Sequence, residues 1–244
     1  MRTHTRFLAS VRDAAEASIA LEAGADLIDF KEPSGGALGA VDLNTLAKAV
    51  GFVAGRAPTS ATIGDLPMDF ELLREAIVSV GSTGVDYVKL GVFPDRNAGA
   101  ALKALATEAR MHRLIFVLFA DAMPDFDAVT LAAALGAHGI MLDTMCKSSG
   151  SLLDHIEVGQ VASMVSDAKA SGLLAGLAGS LKLQHVTELL RLKPDLLGFR
   201  GALCRQGARG ASLDPNACAS IRSLIPSVNE PSAEMPRLLS PSLC

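Results

Sequence analysis

Residues 24–31 read GADLIDFK, and the same arrangement returns as GVDYVKLG at 84–91, GAHGIMLD at 136–143 and KPDLLGFR at 193–200. Each copy begins with turn residues, continues as a short apolar run and carries a charged side chain at or near its end. A turn followed by such a run is typical of a strand that enters a sheet behind a helix. Because the runs are largely apolar and do not alternate, they predict parallel strands buried on both faces.

Eight such runs, separated by helical patterns, organise most of the chain of 244 residues. We predict strands at 6–9, 27–31, 59–63, 85–90, 114–119, 139–143, 173–177 and 195–199. Eight βα units in a chain of this length are typical of a closed (β/α)8 barrel, so the predicted fold class is α/β, a single TIM barrel. The alternative is a doubly wound open sheet, which usually carries a G-x-G-x-x-G turn after its first strand. The corresponding segment here, FLASVRD at 7–13, is no such turn.

The barrel is predicted to occupy residues 1–226, and the Pro/Ser-rich segment 227–244 is predicted to be a flexible tail. Half of the residues are hydrophobic and 20% are charged, which is enough apolar material for one large core. The net charge of -4 and the lack of a Lys/Arg run argue against nucleic-acid binding. No apolar stretch approaches the roughly 18 residues that cross a bilayer, and the N-terminal segment lacks the apolar core of a signal peptide. We therefore expect a cytoplasmic protein without nucleic-acid or membrane partners.

Local signals mark the ends of several predicted helices. Ser10 with Asp13 resembles a capping box before the first helix, and Gly24 is expected to end that helix. Asp69 and Asp214 are expected to cap two later helices, because each precedes a helical pattern with a side chain that accepts backbone hydrogen bonds.

Charged side chains fall at the C-terminal ends of the predicted strands, where TIM barrels place their active sites. Asp29 and Lys31 are two positions apart, so their side chains share one face of the second strand. Lys89 lies at the end of the fourth strand, and Asp143 ends the sixth strand with Lys147 four residues later. These five residues are the predicted catalytic residues.

Several amines gathered at one barrel mouth point to carbonyl chemistry. A lysine attacks a carbonyl only as a free amine, and both burial and neighbouring cations lower its pKa. We expect Lys31, Lys89 and Lys147 to depress one another's pKa, while two aspartates balance the charge and transfer protons. The competing interpretation is a set of separate ion pairs at the rim of the barrel.

The histidines argue against a metal site. His4, His112 and His138 precede strands, whereas His155 and His185 belong to helices, and none forms an H-x-x-x-H or H-x-E pair. The four cysteines contain no C-x-x-C pair, so a zinc or redox motif is unsupported. We expect neither a metal nor another cofactor.

Two glycine-containing segments predict a phosphate site. Gly179 and Ser180 follow the seventh strand and Gly201 follows the eighth, and the loops after these two strands form the usual phosphate site of TIM barrels. Arg200 is expected either to add a charged contact to the phosphate or to pair with an aspartate inside the barrel.

The remaining strand ends carry further polar side chains. Thr62 and Asp65 lie at the end of the third strand, Asp121 lies at the end of the fifth, and all three are predicted to orient a substrate at the barrel mouth. The glycine-rich loop 32–40 is predicted to act as a lid over that mouth.

Six segments of the chain resemble the signature segments of the (5-formylfuran-3-yl)methyl phosphate synthase family, also called 4-(hydroxymethyl)-2-furancarboxaldehyde-phosphate synthase. They are DFKEPSGGALGA (29–40), SATIGD (60–65), YVKLG (87–91), MLDTMCKSSG (141–150), GLAGSLKLQH (176–185) and LGFRGALCRQG (197–207). The resemblance implies a (β/α)8 barrel that joins two molecules of glyceraldehyde 3-phosphate into a phosphorylated furan aldehyde, with loss of one phosphate. The product would supply the furan unit of methanofuran-type one-carbon cofactors.

The resemblance also implies roles for the five predicted catalytic residues. Lys31 would form the Schiff base, with Asp29 beside it as a proton shuttle, and Lys89 would assist as a second amine or acid. Asp143 and Lys147 would handle the enolisation of one aldehyde into its ketone isomer and the later eliminations.

Two other functions share some of these features. Another lysine-dependent aldolase or a triose-phosphate isomerase would use the same lysines and phosphate loops, and a catalytically silent barrel would only bind a sugar phosphate. A phosphorylated triose is the expected partner in each case, and a homo-oligomer is compatible with the Ala-rich helices.

Overall fold

A computed structural model describes residues 4–226, and within that range eight parallel strands close into a barrel in sequence order. The strands are β1 (Arg6–Val11), β2 (Leu27–Phe30), β3 (Thr59–Thr62), β4 (Tyr87–Gly91), β5 (Leu114–Phe119), β6 (Gly139–Asp143), β7 (Leu174–Leu177) and β8 (Leu196–Phe199). All eight predicted strands are confirmed to within two residues at each end. The closed ring also confirms the TIM barrel and excludes the open sheet.

Helices connect successive strands and surround the barrel. They are α1 (Ala14–Glu22), α2 (Leu43–Val53), α3 (Phe70–Gly81), α4 (Ala98–Ala104), α5 (Ala106–Met111), α6 (Ala128–Leu135), α7 (Leu152–His155), α8 (Val158–Ala170), α9 (Val186–Arg191) and α10 (Pro215–Leu224). In residues 4–226, no helix combines the length and apolar character that a membrane crossing requires. The predicted tail, 227–244, lies outside the described residues.

The predicted helix ends are confirmed with one exception. Asp69 and Asp214 accept backbone hydrogen bonds at the starts of α3 and α10, and Gly24 follows α1 with a φ of +79°. The capping box at Ser10 is wrong, because Asp13 alone caps α1 by accepting from the backbone N–H of residue 16 at 2.9 Å. Ser10 belongs to β1, where the alternation of a strand turns its side chain into the barrel.

The two faces of the strands build two apolar layers. Outward-facing side chains pack against the helices in one large core. Inward-facing side chains fill the lower part of the barrel, among them Leu8, Leu27, Tyr87, Ile115, Val117, Met141 and Leu196. The interior is therefore a packed floor, and the polar side chains lie above it at the C-terminal ends of the strands.

Loop 32–40 covers one side of the barrel mouth. Leu38 is fully buried and packs with Val117 and Phe119, so the loop closes the mouth over β4 and β5. Its contacts are those of a folded segment, with Pro33–Gly35 forming a short 3-10 helix. The cavity that remains opens on the side of β6, β7, β8 and β1.

Candidate active site

The predicted lysines and aspartates converge at the C-terminal end of the barrel. The residues at the ends of the strands are almost completely shielded from solvent: Asp29 (0% exposed), Lys31 (6%), Lys89 (3%) and Asp143 (3%). A cavity of about 350 Å³ reaches down to them from the mouth, and its lining includes Lys31, Lys89, Asp143 and Lys147. The geometry thus brings four of the five predicted catalytic residues to one cavity, and the fifth, Asp29, lies beneath it.

Asp29 is held by side chains from three other strands of the barrel. Its carboxylate accepts hydrogen bonds from Ser10 of β1 at 2.8 Å, Ser60 of β3 at 2.6 Å and the Lys89 amine at 3.0 Å. The sheet register explains this, because Ser10 and Ser60 are the direct neighbours of Asp29 on the two adjacent strands. Burial disfavours the charge, but Lys89 and Lys31 outweigh that effect, and the pKa of Asp29 is lowered. Asp29 is therefore a buried anion that fixes the amine of Lys89.

Lys31 has the least engaged amine of the three. Its Nζ lies 3.8 Å from the Asp143 carboxylate and donates no hydrogen bond to any group in residues 4–226. Burial lowers its pKa from 10.5 to about 8, opposed by Asp143 and reinforced by Lys147. Lys31 thus offers the cavity an amine that is partly neutral near physiological pH.

Asp143 connects two of the amines. Its Oδ1 accepts from the Lys147 amine at 2.5 Å and from the Thr144 backbone at 2.7 Å, while its Oδ2 faces Lys31. Burial raises the pKa of Asp143, but the charges of Lys147 and Lys31 lower it by a larger amount. The resulting pKa is about 2. Lys147 also donates to the Thr144 carbonyl, so its position is fixed by the loop that carries it.

The predicted phosphate loops lie side by side at the cavity. Gly179 and Ser180 have φ values of +100° and +47°, and together with Gly201 they line the cavity wall. A Cβ on Gly179 would lie 3.0 Å from the Thr144 backbone nitrogen, so the close approach of the β6 end requires glycine. The backbone N–H groups of these three residues donate to no acceptor in the described chain, which leaves them available to an anion.

Arg200 is engaged with the protein by its whole guanidinium. It donates to Glu16 at 2.5 and 3.2 Å, and also to the backbone carbonyls of Ser10, Arg209 and Ala211. A guanidinium has five N–H donors, and all five are used here. Two roles were expected for Arg200, a phosphate contact or an ion pair with an aspartate. The geometry shows an ion pair, but its partner is Glu16. A direct contact with phosphate would require one of these bonds to break.

Thr62, Asp65 and Asp121 hold loops in place. The Thr62 hydroxyl donates to the Gly39 carbonyl at 2.9 Å, and Asp65 accepts from the backbone N–H groups of residues 37 and 38, each at 2.7 Å. Asp121 accepts from the backbone N–H groups of residues 145 and 146, each at 2.7 Å. These contacts anchor loops 32–40 and 144–150, and the lid role of the first loop stays a prediction. A substrate contact of these three side chains stays a prediction.

Sequence reasoning missed several residues of the site. Ser10 and Ser60 support Asp29, Glu16 holds Arg200, and Lys182 lines the cavity. A signal was present for Ser10, which is a polar residue one position from the end of the largely apolar strand β1. Ser60 gave no such signal, because β3 reads TSAT and its serine does not stand out. No comparable signal marked Glu16, because its partner is 184 residues away.

Metal ligation finds no ready site in the part of the chain that the structure describes. His, Cys, Asp and Glu residues between 4 and 226 form no group of three that could hold an ion. The absence of a cofactor from the reaction stays a prediction.

The fold and the site define a class: a (β/α)8 barrel enzyme with buried lysine–carboxylate pairs beside two glycine-containing loops. Similarity to known proteins is more specific. The sequence profile of the 4-HFC-P synthase family matches residues 7–222. The (5-formylfuran-3-yl)methyl phosphate synthase of Archaeoglobus fulgidus is 31% identical over 226 residues, covering 85% of this chain and 94% of that protein. The chain belongs to this family of (5-formylfuran-3-yl)methyl phosphate synthases.

Other comparisons agree with this assignment. A protein of Methylorubrum extorquens, which bears the same enzyme name as a provisional assignment, is 44% identical over 211 residues and covers 86% of each chain. Among solved structures, phosphoribosyl anthranilate isomerase from Thermus thermophilus superposes with a TM-score of 0.61 at 15% identity, covering 90% of this chain and 98% of that one. At that identity the likeness concerns the barrel fold alone.

Proposed function

We propose that this enzyme condenses two molecules of glyceraldehyde 3-phosphate into 4-(hydroxymethyl)-2-furancarboxaldehyde phosphate through a Schiff base on Lys31. The observation that carries the proposal is the amine of Lys31, which is buried, free of hydrogen bonds within residues 4–226 and lowered in pKa to about 8. Such an amine attacks a carbonyl near neutral pH, whereas Lys89 and Lys147 are held in short ion pairs.

The first half of the reaction needs an amine, a proton carrier and a carbonyl. The neutral Lys31 amine adds to the carbonyl carbon of a triose phosphate, and loss of water forms the imine. The cationic imine acidifies the neighbouring C–H, which loses its proton to become an enamine. Asp143 faces Lys31 and binds Lys147, so it is suited to relay protons between these two amines. Lys147 thereby supplies the proton for the oxygen of the second aldehyde.

The second half joins the carbons and closes the ring. The enamine carbon attacks the aldehyde carbon of the second triose, whose oxygen takes up a proton. One phosphate then leaves by β-elimination: the carbon next to the C–O–P carbon loses a proton, a C=C bond forms, and the phosphate departs with the C–O electron pair. Ring closure, loss of water and hydrolysis of the imine release the furan and regenerate Lys31. In total, two triose phosphates give one furan phosphate, one phosphate and two molecules of water. Cationic groups at the mouth stabilise the departing phosphate.

The phosphate that stays bound through these steps is proposed to lie against Gly179, Ser180 and Gly201. Their unused backbone N–H groups line the same cavity as Lys31, and Lys182 adds a cation at its edge. We further propose that the enzyme acts in the cytoplasm without a cofactor, and that its product supplies methanofuran-type one-carbon cofactors.

The test is incubation with glyceraldehyde 3-phosphate and borohydride, followed by mass mapping of the modified lysine. We expect a reduced adduct on Lys31, and a furan that absorbs in the near ultraviolet when borohydride is omitted. Lys31→Met should abolish both signals, whereas Lys48→Met, which removes an exposed lysine of α2, should retain them. An adduct without a furan would favour another lysine-dependent aldolase or isomerase. Neither signal from the unmodified protein would favour a silent barrel.

A further inference from the structure

Arg209 lies between two neighbouring cavities at the barrel mouth. The first is the active-site cavity, and the second, of about 560 Å³, opens between loop 32–40 and loop 144–150. Arg209 and Lys147 line both cavities. Cations shared by two adjoining cavities are suited to two anions that belong to one reaction.

The guanidinium of Arg209 is mostly uncommitted. It makes one side-chain hydrogen bond within residues 4–226, from NH2 to the Gly36 carbonyl at 3.0 Å. Four of its five N–H donors therefore remain available. Arg200, whose donors are all used, differs from Arg209 in this respect, so Arg209 is the better supported phosphate ligand of the two.

The wall of the second cavity is compatible with an anion. Besides the two cations, its lining includes Gly36, Ala37, Met145 and Ser148, and its one carboxylate is that of Asp65. Both Asp65 oxygens accept short hydrogen bonds from the loop backbone, one from residue 37 and one from residue 38. The acidic charge is thus directed at the backbone of the loop, and Arg209 lines the cavity with most of its donors unused.

We infer that the second cavity binds the phosphate group of the second triose phosphate, with Arg209 as its ligand. The inference rests on the proposed function, in which two phosphorylated substrates must lie in the mouth at once. Two phosphate dianions repel each other in one cradle, so each needs a positive site of its own. Gly179, Ser180 and Gly201 supply one site over Lys31, and the second cavity adjoins it at the two shared cations.

The direct test is a calorimetric titration with glycerol 3-phosphate, which has a phosphate but no carbonyl and forms no imine. We expect the unmodified enzyme to bind two molecules per chain. Arg209→Gln should weaken binding of one of them by at least about tenfold, the effect of losing a charge-assisted hydrogen bond. Arg209→Lys keeps the charge and should show a smaller loss. Arg205→Gln, in the same loop but lining neither cavity, should bind as the unmodified enzyme does.

The outcomes separate this inference from the proposed function. Binding of a single molecule by the unmodified enzyme, or of two with undiminished affinity by Arg209→Gln, would overturn the second phosphate site. Loss of both molecules in a folded Arg209→Gln would also overturn it, because Arg209 would then serve the first site. Two-site binding with the expected loss, in an enzyme that makes no furan, would support the site and reject the proposed reaction.

Discussion

Lys31 differs from the other two lysines because its amine makes no hydrogen bond within residues 4–226. Its reaction with an aldehyde should therefore depend on pH in a measurable way. Burial lowers its pKa to about 8 from 10.5, so raising the pH through 8 converts the protonated amine to the nucleophilic form. We expect the rate of imine trapping with cyanoborohydride to rise through a midpoint near pH 8 and then level off. A midpoint near 10.5 would show that Lys31 is an ordinary exposed amine.

Two neighbours of Lys31 should move that midpoint in opposite directions. Asp143 raises the pKa of Lys31 and Lys147 lowers it, so Asp143→Asn should shift the midpoint to lower pH and Lys147→Met to higher pH. The trapping profile is the readout, because turnover would also report any proton transfer by these residues. Shifts in the same direction would contradict the arrangement of charges around Lys31.

The catalytic residues were predictable because a charge at the end of an apolar strand is conspicuous. Asp29, Lys31 and Lys89 were found in this way, and the barrel register then brings them together. Glu16 was not identified, because it acts on a partner that only the closed barrel brings near. Asp65 was identified as polar, but nothing in the sequence distinguishes a carboxylate that holds a loop from one that meets a substrate.

Among the elements, loop 32–40 requires glycine at position 36 but not at the adjacent position 35. Gly36 has a φ of +114°, and a Cβ there would lie 2.1 Å from an Asp65 carboxylate oxygen. We expect Gly36→Ala to lower the free energy of unfolding by about 1–3 kcal/mol and to speed hydrogen exchange at the amides of residues 37 and 38. Denaturant titration and exchange measurements would follow these effects.

Gly35 provides the matched control for that prediction. A Cβ at this position has ample room, with its nearest neighbour 3.9 Å away, and its φ lies outside the range that requires glycine. Gly35→Ala should therefore change the stability by less than about 0.5 kcal/mol. Equal effects of the two substitutions would mean that the Asp65 contact does not hold the loop.

The regular elements were more predictable than the loops between them. Both ends of strand β5 were predicted correctly from the run LIFVLF, because a continuous apolar run in the local sequence marks a buried strand. The fold of loop 32–40 depends instead on Leu38 reaching the interior residues Val117 and Phe119, which are distant in sequence. In the sequence its glycines suggested mobility. In the structure, Gly36 is needed for the backbone conformation and the close approach to Asp65.

At the scale of the whole molecule, the ion pair between Glu16 and Arg200 connects the first βα unit of the barrel to the last. Glu16 follows β1 and Arg200 follows β8, and both side chains are almost completely buried. Glu16→Gln leaves a buried guanidinium without its counterion, so we expect the free energy of unfolding to fall by about 3–5 kcal/mol. Urea titration would measure this loss.

An exposed pair in the same protein serves as the comparison. Arg74 and Glu71 of α3 lie 3.0 Å apart with side chains that are 47% and 69% exposed. Glu71→Gln should lower the stability by less than about 1 kcal/mol, because solvent screens the pair. Similar losses in both variants would show that the Glu16–Arg200 pair stabilises the protein no more than an ordinary surface ion pair does.

The position of the cavity across the junction of β8 with β1 has a consequence for synthesis on the ribosome. Lys31 leaves the exit tunnel early, whereas Gly179 and Arg200 are made near the end of the barrel. Until the last unit docks, Lys31 is hydrated, with the pKa of about 10.4 that a free side chain has. A nascent chain therefore carries an amine that is almost entirely protonated and reacts only slowly with the aldehydes of the cell. The reactive group arises only when the finished barrel removes water from it.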